Sequence, residues 1–196
     1  MQQRIRYRAA LGRDAADQAE VFHHAVMQGA AGRYTLAQRE AWVSALPREA
    51  SAWLARQALY ATLVAECDGH CVGFVELDTS EGRIETLYVW PSLGRRGIAT
   101  QLLELAEQRL HEQGMTRLRI EASLVLADAL ERRGWQRVGD EWVERQGESL
   151  PRVGLVKALG GIPLGGTPLG EGAPRGIPLD EGSPREASRG KTPHDE

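Results

Sequence analysis

The residues of this chain whose types and spacing best suit ligand chemistry are two glycines and two arginines. They lie between a short apolar strand and a helix. They are Gly94, Arg95, Arg96 and Gly97. The first turn of a helix has amide groups without internal partners at the positive end of the helix dipole, so a glycine-rich entry lets an anion approach closely. The arginines add positive charge. The segment predicts a phosphate or pyrophosphate site, and an ordinary turn is the alternative.

The flanking elements must position this loop. Residues 84–89 are apolar and β-branched, and Pro91 marks the strand end because proline cannot donate to a sheet ladder. A helix follows, and Gly114 ends it. Its apolar residues at helical spacing are Ile98, Leu102, Leu105, Ala106 and Leu110. The glycine spacing matches neither G-x-x-x-x-G-K-[ST] nor G-x-G-x-x-G, which disfavours nucleoside triphosphates and dinucleotides.

Other patterns give the order of the remaining elements. Alternation predicts a strand over 4–9, and helices are predicted from Asp14, from a capping box of Thr35 and Gln38, and over 52–59 after Ser51. Asp68-Gly69 predicts a hairpin. Its strands are residues 60–66 and 71–78. The chain then continues with a strand over 116–121, a helix over 122–133, and a closing strand pair over 135–145 and 148–159. Pro151 in the last strand favours an edge position or a bulge.

Composition narrows the class of protein. The 196 residues have a formal net charge of −3, which gives no field suited to nucleic acid or an anionic membrane. No apolar run approaches the roughly 20 residues of a membrane span, and the first residues lack the apolar core of a signal peptide. We expect a soluble, cytoplasmic protein without nucleic-acid or membrane partners.

Two further segments are predicted to have no catalytic or metal-binding role. Cys67 and Cys71 flank Asp68-Gly69-His70, but three ligands in five residues without a second cluster make a poor tetrahedral site, so no metal is expected. Residues 160–196 hold nine of the 22 glycines and six of the nine prolines. This composition predicts a disordered tail after a single domain over 1–159.

Val89-Trp90-Pro91 and the loop residues 95–99 resemble the acetyl-CoA loop of the GNAT superfamily of N-acetyltransferases, although Gly94 stands where that family usually has Gln or Arg. The element order over 4–159 also resembles the superfamily. More specific marks resemble a bacterial branch of it, and they are Tyr34-Thr35, Gln38, Trp42, Gly73-Phe74, Glu121-Ala122-Ser123, Gly134-Trp135 and residues 145–148. The resemblance implies an α/β (α+β) fold with a mostly antiparallel sheet of about seven strands and helices on both faces.

The resemblance also implies a reaction, the transfer of acetyl from acetyl-CoA to an amine by direct attack. The pantetheine arm would lie between strands 84–89 and 116–121, where a backbone amide binds the thioester carbonyl. The implied cofactor contacts are Leu87, Tyr88, Val89, Arg95, Arg96, Gly97, Ile98, Ala99, Thr100 and Ser123.

The acceptor amine must be neutral to attack, so a general base is expected. Glu85 is the first candidate, placed by its spacing on the same strand face as Leu87, and Glu76 and Glu121 are the others. The tyrosine acid of the superfamily falls on Leu130, and Tyr88 is the candidate substitute. The implied acceptor contacts are Tyr34, Trp42 and Glu121, with His23, His24, Trp53 and Trp142 as further candidates.

Several alternatives stay open at the level of sequence. Leu130 in place of tyrosine also fits a non-catalytic acyl-CoA-binding module. Spaced Pro-Leu and Pro-Arg pairs in the tail fit a partner-binding segment. The acceptor is either a small molecule or a protein amine, and the last strand pair could offer the edge of a homodimer.

Overall fold

The computed structural model describes residues 4–160, in which it forms seven strands and five helices. The strands are β1 (Arg6–Ala9), β2 (Ala61–Cys67), β3 (His70–Asp78), β4 (Arg83–Val89), β5 (Arg117–Ser123), β6 (Gln136–Arg145) and β7 (Glu148–Ala158). The helices are α1 (Ala15–His24), α2 (Leu36–Val43), α3 (Ala50–Leu59), α4 (Ile98–Glu112) and α5 (Leu124–Glu131), and a π-helical stretch, Ala25–Gly29, extends α1. The predicted tail over 160–196 lies outside the described residues, except for Gly160.

The seven strands form one sheet in the order β1-β2-β3-β4-β5-β7-β6. Every neighbouring pair is antiparallel except β4 and β5, which confirms the predicted mixed, mostly antiparallel sheet. Neither the edge strand nor the bulge predicted from Pro151 is formed, because β7 lies between β5 and β6 and its pairing with β6 is regular at Pro151. Proline is tolerated there because the β5 ladder ends at the pair Ser123–Arg152, so Pro151 lies beyond the last residue paired on that side.

Each face of the sheet is covered by helices, as predicted. On the α4–α5 face, Leu102 and Leu130 are fully buried against strand residues such as Ile84. On the α1–α3 face, Phe22 and Trp53 pack with Phe74. Alternate residues of a strand point to opposite faces, so the register assigns each site residue to one of these two sides.

Turn and capping residues explain most element boundaries. Asp68 and Gly69 have positive φ angles of 51° and 87°, which suits the tight hairpin predicted between β2 and β3. The α2 capping box is formed as predicted, with the Thr35 hydroxyl accepting from the Gln38 amide at 3.2 Å. Asp14 does precede α1, but its carboxylate caps no α1 amide and instead accepts from the Leu11 amide at 2.7 Å.

Two predicted helix starts are shifted. Helix α3 begins at Ala50, after Glu49, and not after Ser51. Helix α5 begins at Leu124, because Ala122 and Ser123 continue the β5 ladder opposite Val153 and Arg152. Across residues 4–160, every helix is too short or too polar to cross a lipid bilayer.

Candidate active site

The two parallel strands at the centre of the sheet separate soon after they meet. Their ladder consists of the pairs Arg83–Arg119 and Ile84–Ile120. Beyond Ile84, the rest of β4 has β3 on one side and no ladder partner on the other. The edge of β4 over 87–89 therefore faces an opening toward β5, which we call the cleft. A cleft between parallel strands was the expected place for the pantetheine arm.

A β-bulge lies at the closed end of the cleft. Glu76 of β3 pairs with Thr86 and Leu77 pairs with Ile84, so Glu85 has no residue opposite it. Ile84 and Leu87 both pack on the α4–α5 face. The expectation that Glu85 shares the face of Leu87 is therefore wrong, because the extra residue turns both Glu85 and Thr86 toward the α1–α3 face.

Glu85 and Glu121 share one arginine. Arg83 hydrogen-bonds the Glu85 carboxylate, and its Nη1 lies 3.9 Å from Glu121 Oε2. The Glu85 side chain is only 13% exposed. Burial raises the pKa of the Glu85 carboxyl, and the neighbouring Arg83 charge opposes that rise without cancelling it. A carboxylate that shares one arginine with a second carboxylate, and whose pKa is raised, is suited to accept a proton near neutral pH.

Glu76, the second candidate base, is saturated by structural contacts. Its Oε1 accepts from Arg56 Nε at 3.0 Å, and its Oε2 accepts from Arg56 Nη2 at 2.6 Å and from the Thr86 hydroxyl at 2.7 Å. The side chain is completely buried. These contacts leave no room for proton exchange with a substrate, so the arrangement favours a structural role for Glu76.

The loop before α4 has the geometry expected of an anion site. Gly97 is the N-cap residue of α4 with φ at +79°, a conformation that favours glycine, and no side chain caps the first-turn amides of the helix. Arg95 and Arg96 are exposed beside it. The helix N-terminus, its dipole and two cations thus converge at one end of the cleft.

Ser123 and Tyr34 meet at the start of α5. Ser123 is the N-cap residue of α5, yet its hydroxyl bonds no α5 amide. The Tyr34 hydroxyl takes that place, accepting from the Leu124 amide at 2.9 Å and donating to the Pro151 carbonyl oxygen at 2.7 Å. Tyr34 is 5% exposed and both hydrogen-bonding capacities are used inside the protein. Its geometry is that of a positioning residue, and the Ser123 hydroxyl makes no hydrogen bond to any of residues 4–160.

Tyr88 and Trp42 line the α1–α3 side of the cleft. The Tyr88 ring lies 5.2 Å from Phe22 and 6.5 Å from Trp42, measured between ring centroids. Trp42 in turn contacts Tyr34 at 5.2 Å. Burial raises the pKa of the Tyr88 phenol, so this group stays protonated at neutral pH and is a weaker acid than an exposed tyrosine.

Four weaker candidates lie elsewhere. Trp53 is fully buried and donates to the Pro47 carbonyl oxygen at 2.9 Å, so it belongs to the core. Trp142 is 66% exposed on β6. His24 stacks on Trp90 at 4.6 Å, and His23 lies beside it at 5.7 Å. In the described part of the chain, no hydrogen bond, ion pair or ring contact joins any of these four side chains to Glu85, Arg83 or Glu121.

A cavity of about 460 Å³ opens beside the loop, between α1 and the β2–β3 hairpin. Its lining includes Asp17, Glu20, His70, Cys71 and Trp90. Asp17 accepts from the Cys71 amide at 2.8 Å, and Cys67 and Cys71 are buried free thiols. Within residues 4–160, no group of three or more His, Cys, Asp or Glu side chains is placed to hold a metal ion.

The position of the loop before α4 could be predicted from the sequence, but the position of Arg83 could not. A charged residue at a strand start usually faces solvent, but Arg83 lies between two carboxylates because Glu121 of β5 is on the same sheet face as Glu85. Arg56 was missed for a similar reason, since its partner Glu76 lies on a distant strand. Neither the Arg83–Glu121 contact nor the Arg56–Glu76 contact has a signal in local spacing.

Comparisons with known proteins agree with this architecture. The model of the acetyltransferase (GNAT) domain family matches residues 15–151. The chain is similar to a GCN5-related N-acetyltransferase from Rhodopseudomonas palustris, with 31% identity and a TM-score of 0.74, covering 81% of this chain and 99% of that one. None of the curated proteins matches the chain in sequence.

Two further solved structures share the fold. One is the PaiA N-acetyltransferase from Thermoplasma acidophilum, in complex with coenzyme A, at 18% identity and a TM-score of 0.60, covering 80% of this chain and 99% of that one. The other is a phosphinothricin acetyltransferase from Sinorhizobium meliloti, in complex with acetyl-CoA, at 19% identity and a TM-score of 0.56, covering 80% and 89%. With the family match over residues 15–151 and the 31% identical relative, the chain belongs to the GNAT family of acetyltransferases.

Proposed function

We propose that this protein transfers an acetyl group from acetyl-CoA to a primary amine by direct attack within a ternary complex. The observation that carries the proposal is the convergence on one cleft of an uncapped helix N-terminus and a buried carboxylate with a raised pKa. The helix N-terminus suits the pyrophosphate of the donor. The carboxylate suits the removal of a proton from the acceptor amine.

The donor would enter from the loop and extend into the cleft. The loop amides and the arginines Arg95 and Arg96 would hold the pyrophosphate, and the open edge of β4 over 87–89 would hold the pantetheine arm. The Ser123 hydroxyl would contact the same arm. Two fold neighbours that were crystallised with coenzyme A or acetyl-CoA support acyl-CoA as the ligand. The proposed cofactor contacts are Leu87, Tyr88, Val89, Arg95, Arg96, Gly97, Ile98, Ala99, Thr100 and Ser123.

The acceptor would arrive as an ammonium ion beside Glu85. Glu85 takes one proton, the amine lone pair attacks the thioester carbonyl carbon, and a β4 amide stabilises the oxygen as it becomes negative. Collapse of the tetrahedral intermediate breaks the C–S bond and releases the CoA thiolate. Tyr88 protonates the thiolate and regains its proton from solvent. The nitrogen loses its second proton to solvent as the intermediate collapses, and its third proton stays on the amide nitrogen of the product.

The test of donor binding is a calorimetric titration of acetyl-CoA into Gly97→Glu and Gly97→Gln variants. Both side chains impose the same strain at φ +79°, and a Cβ there meets no atom within 4 Å. The two variants therefore differ in charge alone. We expect Gly97→Glu to bind on the order of tenfold or more weakly than Gly97→Gln, because a carboxylate at the helix start repels the pyrophosphate. Equal affinities would remove the loop from the cofactor site.

One observation favours a second candidate function, acyl-CoA binding without turnover. Leu130, at the position of the superfamily's tyrosine acid, is fully buried in the α4–α5 core and offers no proton. Turnover separates the two functions. Release of free CoA that depends on an added amine and disappears in Glu85→Gln supports the transferase, whereas tight donor binding without such release supports the binding module.

A further inference from the structure

Arg145 lies on the same sheet face as the candidate base. In the β6–β7 ladder it pairs with Glu148, and Glu141 on the same strand pairs with Arg152. Residues of β7 that alternate with Arg152, namely Val153 and Leu155 in its register, pack into the α4–α5 core. Arg152 and its cross-strand neighbours therefore face the α1–α3 side, and the two-residue period of β6 places Arg145 there too.

Helix α2 covers this end of the hairpin and connects it to the cleft. Gln38 Nε2 donates to the Ser149 carbonyl oxygen at 2.8 Å, which fixes α2 over β7. The same helix carries Trp42, which packs against Tyr88. Burial raises the pKa of Tyr88, and the Arg145 charge is one of the groups that oppose this rise. Helix α2 thus links the end of the hairpin that carries Arg145 to Tyr88, at the open end of the cleft.

Arg145 has no ion-pair partner among residues 4–160. It is half-buried, and among residues 4–160 no carboxylate lies within 4 Å of it and no hydrogen bond engages it. Its neighbour Arg152 shows the contrast, since its Nε donates to Glu141 at 2.7 Å. A half-buried guanidinium gains most from a planar anion that accepts two parallel hydrogen bonds, such as a carboxylate.

The α1–α3 side of the cleft is therefore polarised. Its closed end holds Glu85 and Glu121 with the single charge of Arg83 between them. Toward its open end lies Arg145, which has no ion-pair partner among residues 4–160, and the rings of Trp42 and Tyr88 pack together on the same side. A ligand complementary to this pattern has a cation at one end and an anion at the other.

We propose that the acceptor is an amino acid or a related amino-acid-like molecule, and that Arg145 is a specificity residue that binds its acid group while its amine lies at Glu85. This assignment rests on the proposed transferase function and narrows its acceptor to amines that carry a carboxylate or a similar anion. An amine without an acid group leaves Arg145 unpaired, so it should bind more weakly and not react differently once bound.

The test compares acceptors that differ only in the acid group. The pairs are L-leucine with 3-methylbutylamine, and 6-aminohexanoate with hexylamine, so that a short and a long separation between amine and acid are both sampled. For at least one pair, we expect kcat/KM to be on the order of 10- to 100-fold higher with the acid, because hydrogen bonds to a charged group contribute at that level. Equal or lower values for both acids would overturn the proposal.

Three variants assign the preference to Arg145. Arg145→Gln should abolish the preference by raising KM for the acid, with kcat and the values for the plain amine unchanged. Arg145→Lys should restore part of it. Arg137→Gln is the matched control, because Arg137 lies on the same strand, is exposed and pairs with Asp140. Loss of activity toward acid and amine alike in Arg145→Gln would instead assign it a structural role and overturn the proposal.

A binding measurement keeps this inference separate from the transferase proposal. Calorimetry with N-acetyl-L-leucine and N-acetyl-3-methylbutylamine, each added to the CoA-saturated protein, reads the acid contact without turnover. Tighter binding of N-acetyl-L-leucine that is lost in Arg145→Gln supports the acid site even if no amine is acetylated. Indifference to the acid group here, with transfer to plain amines intact, would overturn the acid site and leave the transferase standing.

Discussion

Glu76 and Glu85 are two buried glutamates on neighbouring strands, each bound to an arginine, and they differ in how completely they are compensated. Glu76 accepts two arginine nitrogens and a threonine hydroxyl. Among residues 4–160, Glu85 forms an ion pair with Arg83 alone, and Arg83 also lies within 3.9 Å of Glu121. A saturated carboxylate has a fixed charge and fixes the structure around it. A partly compensated carboxylate beside a cleft can change its charge, which is the requirement for acid–base catalysis.

The largest expected effect is on turnover, in Glu85→Gln. The amide cannot take the amine proton, so kcat should fall by roughly 10²- to 10⁴-fold, the usual contribution of a general base. Acetyl-CoA affinity and the melting temperature should stay close to wild type, and Glu81→Gln, at an exposed residue paired with Arg119, is the control. Steady-state kinetics and differential scanning fluorimetry measure both. Wild-type kcat in Glu85→Gln would falsify its role as base.

Glu76→Gln should lower the stability of the protein and leave kcat nearly unchanged, the reverse of Glu85→Gln. Losing this carboxylate leaves the charge of Arg56 largely buried without a counter-ion, which costs about 3 kcal/mol of unfolding free energy. The kcat per folded molecule should change little at temperatures well below the melting transition. Urea unfolding with activity assays on the same samples measures both quantities. A drop in kcat without a loss of stability would mean that the two glutamates are wrongly assigned.

Replacing either of the two charged neighbours of Glu85 should shift the pH dependence of kcat/KM, and the two shifts should have opposite directions. Arg83 lowers its pKa and Glu121 raises it. Arg83→Gln should therefore move the acid limb of kcat/KM to higher pH, and Glu121→Gln should move it to lower pH. The limb reports the essential base of the free enzyme. Shifts of the same sign in both variants would point to a titrating group other than Glu85.

The smallest effect is expected for Thr86→Val, which removes one hydrogen bond to Glu76 at nearly constant side-chain shape. It should cost about 1 kcal/mol of stability, because Arg56 still satisfies most of the carboxylate. The acid limb of the pH profile should not move. Denaturant unfolding and the pH profile test this together, and a displaced limb would show that the two carboxylate clusters titrate as one.

Much of the fold could be predicted from the sequence because its signals are local. Asp68-Gly69 and Gln146-Gly147 adopt positive φ angles at the two hairpin turns, and the capping box at Thr35 fixes the start of α2. The glycine-rich entry to α4 depends on backbone conformation alone. Such features are encoded within four or five residues, so spacing is sufficient to find them.

The parts that could not be predicted depend on contacts between distant residues. Strict alternation along the strand predicts that Glu85 and Leu87 lie on the same sheet face. A single extra residue in β4 puts them on opposite faces. Pro151 indicated an edge strand or a bulge, but it lies in an interior strand. The position is tolerated because the β5 ladder ends before it reaches Pro151. The buried hydroxyl of Tyr34 is shared by α5 and β7, which lie about 90 and 117 residues away in sequence. No local pattern reports these contacts.

The Tyr34 hydroxyl has a consequence for observing the protein at work. It protects the Leu124 amide from outside the α5 helix, through a residue that lies just before α2. Hydrogen exchange at this one amide therefore reports how firmly the segment before α2 is held against the start of α5. A ligand that moves this segment away from α5 should speed exchange at Leu124, and a ligand that holds it there should slow exchange. Exchange at one backbone amide thus reports the position of this segment without any added label.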